Sequence, residues 1–150
     1  MENVFTGLIH SLSAQLKADL EIRDNNKVHV NFDGIALLIE HLAEAEQILL
    51  AAPIAAVPDR GRERLYRELL QGQFIFAETR GAALALDRDE SFVSLQCAPS
   101  LHALTPENFT ALVENFLNMV EHWRKRCLEI TEEAEGQDGA SAPVAEMLRI

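Results

Sequence analysis

Basic residues are scarce in this sequence. Thirteen Lys and Arg stand against 24 Asp and Glu, for a formal net charge of −11. Non-specific nucleic-acid binding needs clustered cations to replace phosphate counterions, so no nucleic-acid partner is expected. An anionic membrane surface would repel such a chain. Long hydrophobic runs are also missing. No stretch approaches the ~20 apolar residues of a membrane span. The opening MENVFTGLIHSLSAQLKADL has neither a basic start nor a long apolar run, so no leader is expected. Cysteine is limited to Cys97 and Cys127, with no C-x-x-C pair and no Cys/His cluster. Zinc and thioredoxin-type chemistry therefore have no support, and each thiol reads as a buried, reduced side chain within an apolar pattern. A reducing cytoplasm fits best.

Catalytic motifs are missing too. The five histidines (His10, His29, His41, His102 and His122) fall on different elements. Glu40-His41 and Glu121-His122 lack the second His, four residues on, of a zinc-binding helix. There is no phosphate-binding Gly-rich loop and no G-x-S-x-G elbow. Asp87, Asp89 and Glu90 read as a solvated hairpin turn, since calcium needs a defined loop of spaced ligands. No catalytic residue, metal site or cofactor is expected. Arg60, Arg62, Arg64 and Arg67 lie on one helix with Glu63 and Glu68 nearby, and read either as a solvated face or as a patch that orients a partner.

What is present is a clear alternation of periods. Phe5, Leu8, Ile9, Leu12, Leu16 and Leu20 recur at spacings of three and four, predicting an amphipathic first helix that ends before RDNNK. Val28, Val30 and Phe32 then alternate up to Asp33-Gly34, and Ile35, Leu37 and Ile39 alternate away from it. Asp-Gly between alternating runs predicts a two-residue type I′ hairpin, which needs positive φ at both central residues. That turn pairs Phe32 with Ile35, Val30 with Leu37 and Val28 with Ile39, all on one face. The opposite face carries His29, Asn31, Ala36 and Leu38.

Residues 47–54 are read as a third strand, although their continuous run of Leu and Ala also suits a helix and has no period to decide it, and a second helix is expected over 59–71. Asp59 is the expected N-cap of that helix, and Leu65, Tyr66, Leu69 and Leu70 its apolar stripe. GAALALDRDESFVSLQC, residues 81–97, reads as a second hairpin with its turn at residues 87–90. Leu84, Leu86, Val93 and Leu95 are expected to face the helices, with Ala83 and Ala85 on the other side. Thr105 is a good N-cap and Pro106 suits a first helical position, so a long last helix starts there. Its stripe runs Phe109, Leu112, Val113, Phe116, Val120, Trp123, Cys127, and Arg124, Lys125 and Arg126 are expected near its end. Residues 131–150 are acidic and rich in small side chains, so a mostly flexible tail is expected beyond a domain of residues 1–130. The resulting fold class is α+β, ordered α-β-β-β-α-β-β-α, with a twisted, mainly antiparallel five-stranded sheet packed by helices.

The second half, from LLQGQFIFAETRGAALAL to VEHWRKRC, resembles the bacterial type III secretion chaperones of the Tir chaperone (CesT/SycE-like, class I) family. The features that carry the resemblance are Leu69-Leu70 at a helix end, the strand Gly81-Ala82-Ala83-Leu84, the strand over residues 92–97, and Val120-Glu121-His122-Trp123 in the last helix. The first half agrees in element order and in its Asp33-Gly34 hairpin. The resemblance spans about residues 3–128, and Gln73 departs from it where relatives often carry Asn.

The resemblance implies a non-enzymatic cytoplasmic homodimer that binds the N-terminal segment of a secreted effector and keeps it extended for secretion. The secretion ATPase or a regulatory protein would be a further partner. It implies a dimer interface on the second helix and fourth strand, with Leu65, Tyr66, Leu69, Leu70, Ala83 and Ala85 as candidates. A guest held extended loses about 1–2 kcal/mol of backbone entropy per residue, offset by strand-edge pairing and apolar burial at about 25 cal/mol per Å². Val4, Ile9, Ala36 and Leu38 are the candidate guest-binding residues on that reasoning. Two other readings stand beside this one. A regulator of the same fold would sequester a secretion anti-activator. A small-molecule-binding protein or enzyme would instead show a deep pocket with convergent polar groups.

Overall fold

The computed structural model describes residues 3–148, with side chains described through residue 136. Helix α1 spans Val4–Leu16 and is followed by strands β1 (Lys27–Phe32), β2 (Ile35–Leu42) and β3 (Gln47–Ala56). Helix α2 (Arg62–Gln73) leads into β4 (Ala83–Leu86), β5 (Phe92–Cys97) and the last helix, α3 (Pro106–Leu148). The five strands form one antiparallel sheet in the order β1-β2-β3-β5-β4. The fold is the α+β arrangement the residue pattern predicts.

The first hairpin has the expected register: Phe32 opposite Ile35, Val30 opposite Leu37 and Val28 opposite Ile39. Asp33 and Gly34 both take positive φ (48° and 87°), and the Asn31 side chain accepts a hydrogen bond from the Gly34 N–H at 2.9 Å. Because side chains alternate across a strand, this register sends Val28, Ile35, Leu37 and Ile39 to one face with Ile48, Leu50, Ala52, Val93 and Leu95. That face meets Phe5, Leu8, Ile9 and Leu12 of α1 and Phe109, Val113, Phe116 and Val120 of α3 in a single core.

Three boundaries differ from the sequence reading. Helix α1 stops at Leu16, where Lys17 turns left-handed (φ 52°), the Ala18 N–H donates to the Ser13 carbonyl and the Ser13 hydroxyl donates to the Ala18 carbonyl. Leu20 is still buried, but beyond the helix. Helix α2 starts at Arg62 with Gly61 at its cap, so Asp59 is not the cap. A Cβ on Gly61 would come within 2.8 Å of the Ala134 Cβ, so the missing side chain lets α3 lie close to the start of α2. Helix α3 does start at Pro106, where the Thr105 hydroxyl accepts from the Asn108 N–H (3.2 Å) and the Asn108 side chain accepts from the Thr105 N–H (2.7 Å). It does not end near Arg126. Ile130 and Ala134 remain buried, so the packed body reaches past residue 130. Mid-helix, Arg126 is ringed by Glu68, Glu129 and Glu133, while Arg124 donates to the Gly34 carbonyl and ties the hairpin tip to α3.

Candidate protein-binding surfaces

Among the described residues, two open apolar surfaces bear on the candidate residues. The first is the sheet face turned away from the helices. Leu38 lies opposite both His29 and Ala51, and Asn31 opposite Ala36, so these side chains share that outer face. With Pro53 and Phe92 they border a shallow trough of about 560 Å³. Small side chains keep it open: Ala36, Ala51 and Pro53 stand where branched residues would fill it.

Of the four candidate guest-binding residues, Ala36 and Leu38 line this trough. Val4 is exposed on α1 but outside it, whereas Ile9 is fully buried. Ile9 sits four residues after Phe5 and three before Leu12, so it belongs to the core-facing stripe of α1 and not to the helix's open side.

The second surface lies along α2 and β4. Leu65 and Leu69 are buried within the subunit itself. Between Tyr66, Leu69 and Leu70 of α2 and Leu84, Ala85 and Leu86 of β4 runs a cleft of about 250 Å³. The register sets Leu84 opposite the buried Leu95 and sends Ala83 and Ala85, opposite Gln96 and Ser94, to the face away from the helices, as expected; of the two alanines only Ala85 contributes to the cleft lining. Leu84 packs on the core and Leu86 is partly open to solvent.

β4 is an edge strand, and Gln73 covers part of that edge. Its side-chain oxygen accepts from the Leu84 N–H at 2.7 Å and its amide donates to the Ala82 carbonyl at 3.1 Å. The glutamine thus takes the place of a neighbouring strand for one repeat, which protects an edge from unspecific pairing.

Beyond Gln73 the chain presents Phe74, Ile75 and Phe76, with relative exposures of 71, 74 and 53%, next to Leu70 at 74%. Ile75 and Phe76 both take left-handed backbone conformations (φ 51° and 59°). A β-branched residue there costs on the order of 1–3 kcal/mol, which the rest of the fold must sustain. The sequence reading missed these three residues. The available signal was an apolar triplet that continues neither the stripe of α2 nor the alternation of β4.

The turn between β4 and β5 is more organised than a solvated acidic loop. Asp87 accepts from the N–H groups of Ser91 (2.7 Å) and Phe92 (2.8 Å) and from the Ser91 hydroxyl (2.5 Å). The hydrogen bond from Phe92 leads in holding its carboxyl below the usual range. Tyr66 donates to Glu90 at 3.0 Å, fastening the turn to α2, and desolvation with that bond raises the phenol's pKa.

Both thiols are pushed up to about 11 by burial. At pH 8 we expect iodoacetamide to label the folded chain about 100-fold more slowly than an open thiol, and at the open rate once it is unfolded. Fast labelling of the folded chain would mean that the thiols are not buried. Among the described residues no group of three or more His, Cys, Asp or Glu could hold a metal, and no helix is long and apolar enough to cross a membrane.

Comparison with known proteins places this geometry. The sequence profile of the Tir chaperone protein (CesT) family matches residues 7–124. Among curated protein sequences none matches significantly. Solved structures with the same fold include the HopA1-SchA chaperone-effector complex (TM-score 0.66, 18% identity, covering 81% of this chain and 94% of that one). The ExsC-ExsE complex matches with a TM-score of 0.69 at 23% identity, covering 83% and 96%. The heterodimeric ExoU-SpcU complex from the type III secretion system of Pseudomonas aeruginosa matches with a TM-score of 0.64 at 16% identity, covering 81% and 96%.

Proposed function

The chain belongs to the Tir chaperone protein (CesT) family, and from that premise we propose that it is a type III secretion chaperone for a secreted effector. It acts in the bacterial cytoplasm as a homodimer and holds the effector's N-terminal segment extended on its surface. The family is one of chaperones and not of enzymes. The observation that carries the reading to this chain is the outer-face trough around Ala36, Leu38, Ala51 and Pro53. It is an open apolar surface in a protein of net charge −11. That combination offers a guest repeated apolar contact while charge keeps the empty chaperone soluble. HopA1-SchA, a chaperone-effector complex, shares the fold and supports the choice of partner.

The dimer is assigned to α2 and the residues after it: Tyr66 and Leu70, Leu86 on β4, and the Phe74, Ile75 and Phe76 triplet. Leu65 and Leu69 serve the subunit's own core instead. Because Gln73 occupies the β4 edge at Ala82 and Leu84, the two subunits meet there through side chains and not through a continuous strand ladder.

The test is co-expression with the N-terminal fragment of a secreted protein encoded beside this one. The fragment co-purifies with the wild-type chain. Leu38→Glu, which places a charge in the trough without touching the core, weakens that binding at least about tenfold while leaving the unfolding temperature unchanged. Wild-type chain that binds no secreted N-terminal segment would overturn the reading.

A further inference from the structure

Neither surface above includes the two hollows along α3. At one end Thr79, Ala82, Cys97, Leu112 and Phe116 enclose an apolar pocket of about 280 Å³. At the other, Glu78, Asn118, His122 and Arg126 border a more polar hollow of about 490 Å³. Arg80, Asn115 and Met119 line both, so the two hollows adjoin as one groove. From Leu112 to Arg126 the helix rises about 21 Å, enough for about six residues of extended chain. A compact small molecule would use only a fraction of that length.

Two features give the groove a preference. Thr79 is 1% exposed, and its hydroxyl has no hydrogen-bond partner among the described residues. Buried hydroxyls are normally paired, and this unpaired one belongs to a residue that lines the pocket. Of the two guanidinium groups, Arg126 is already paired with Glu68, Glu129 and Glu133. Arg80 is exposed and enters no ion pair among the described residues, although Glu78 lies nearby in the lining. One unneutralised cation therefore stands at the junction of an apolar pocket and a polar hollow.

We propose that this groove binds a short acidic, amphipathic peptide segment of the guest protein. A bulky apolar side chain enters the pocket beside Leu112 and Phe116, and a carboxylate about two residues away pairs with Arg80. The proposal rests on the chaperone reading for the source of the segment, but the groove can be tested without a guest.

The probes are fluorescent twelve-residue peptides of Gly and Ser carrying either Phe-Ser-Asp or Phe-Ser-Lys, titrated against the full chain by polarisation. The Asp peptide should bind at least about fivefold more tightly than the Lys peptide, by an increment that shrinks in high salt. Arg80→Glu should reverse that order. Asn115→Trp, at an exposed helix position lining both hollows, should block both peptides. Each variant should keep the wild-type unfolding temperature. Equal binding of the two peptides, or an order unchanged by Arg80→Glu, overturns the groove. In the co-expression experiment, a guest fragment that binds wild type and both variants equally also overturns the groove while the chaperone reading stands. Asp-peptide selectivity reversed by Arg80→Glu, in a chain that captures no secreted fragment, sustains the groove's chemistry and removes the chaperone reading.

Discussion

Trp123→Ala should be among the most damaging single substitutions in this protein. The indole is 2% exposed, packs in the core between α2 and α3, and donates from Nε1 to the Glu78 carbonyl at 3.0 Å. Losing its packing costs about 3–5 kcal/mol. For a domain of this size that lowers the unfolding temperature by about 6–20 °C, measured at fixed protein concentration because association also shifts it.

The partner of that ring is Gly72, in the last turn of α2. A Cβ there would fall 2.6 Å from Trp123 Cζ2 and closer still to Cη2. Gly72→Ala gains about 1 kcal/mol of helix propensity but overpacks the site by about 1–3 kcal/mol, so it is expected to be destabilising. Trp123→Phe removes the six-membered half of the indole that meets Gly72. The double variant Gly72→Ala/Trp123→Phe should therefore be more stable than the sum of the two single effects, by about 0.5–3 kcal/mol of coupling. Additive behaviour in thermal or urea unfolding would show that the close approach is not what requires glycine.

This contact also decides where the exposed triplet sits. The Trp123–Glu78 hydrogen bond and the Gly72 approach hold both ends of the segment running through Phe74, Ile75 and Phe76. The segment is thus anchored against α3 while its apolar side chains stay outside. Sequence pattern could not show that, because the anchor joins residues 45 positions apart in the chain.

What pattern could show was local. Asp33-Gly34 sets the hairpin register because both positions need positive φ, and a one-residue slip would have turned every core side chain outward. Thr105, Pro106 and Asn108 mark the start of α3 by the same kind of short-range chemistry. The end of α1 depended on a hydroxyl bond from Ser13 that has no period. The course of α3 beyond Arg126 depended on Gly61 leaving room for Ala134. Ile9 was legible and misassigned, since the stripe that contains Phe5 and Leu12 already contains it. Of the open apolar surfaces, the outer-face position of Ala36 and Leu38 followed from the strand alternation, whereas the Phe74, Ile75 and Phe76 triplet has no regular spacing to reveal it.

Leu70→Asp together with Phe74→Asp should convert the proposed homodimer to a monomer. Both side chains are more than two-thirds exposed in the single subunit, so the substitutions remove nothing from its core. In a two-fold dimer each position counts twice, because a symmetric interface uses the same patch on both chains. Burying a Leu or Phe contributes about 1.5–3 kcal/mol, so four lost side chains remove about 6–12 kcal/mol of gross association energy. Four carboxylates brought together then oppose contact further. Light scattering should report the two-chain mass for wild type and the one-chain mass for the variant, with unchanged near-ultraviolet circular dichroism from Trp123.

The two alanines of β4 refine the geometry. Ala85 contributes to the lining of the α2 cleft and Ala83 does not, so Ala85→Glu should weaken the proposed dimer, whereas Ala83→Glu should leave it intact. If the Leu70/Phe74 variant and Ala85→Glu both remain dimeric, the subunits associate through some other face. The strained turn at Ile75 would then be sustained by the single chain alone.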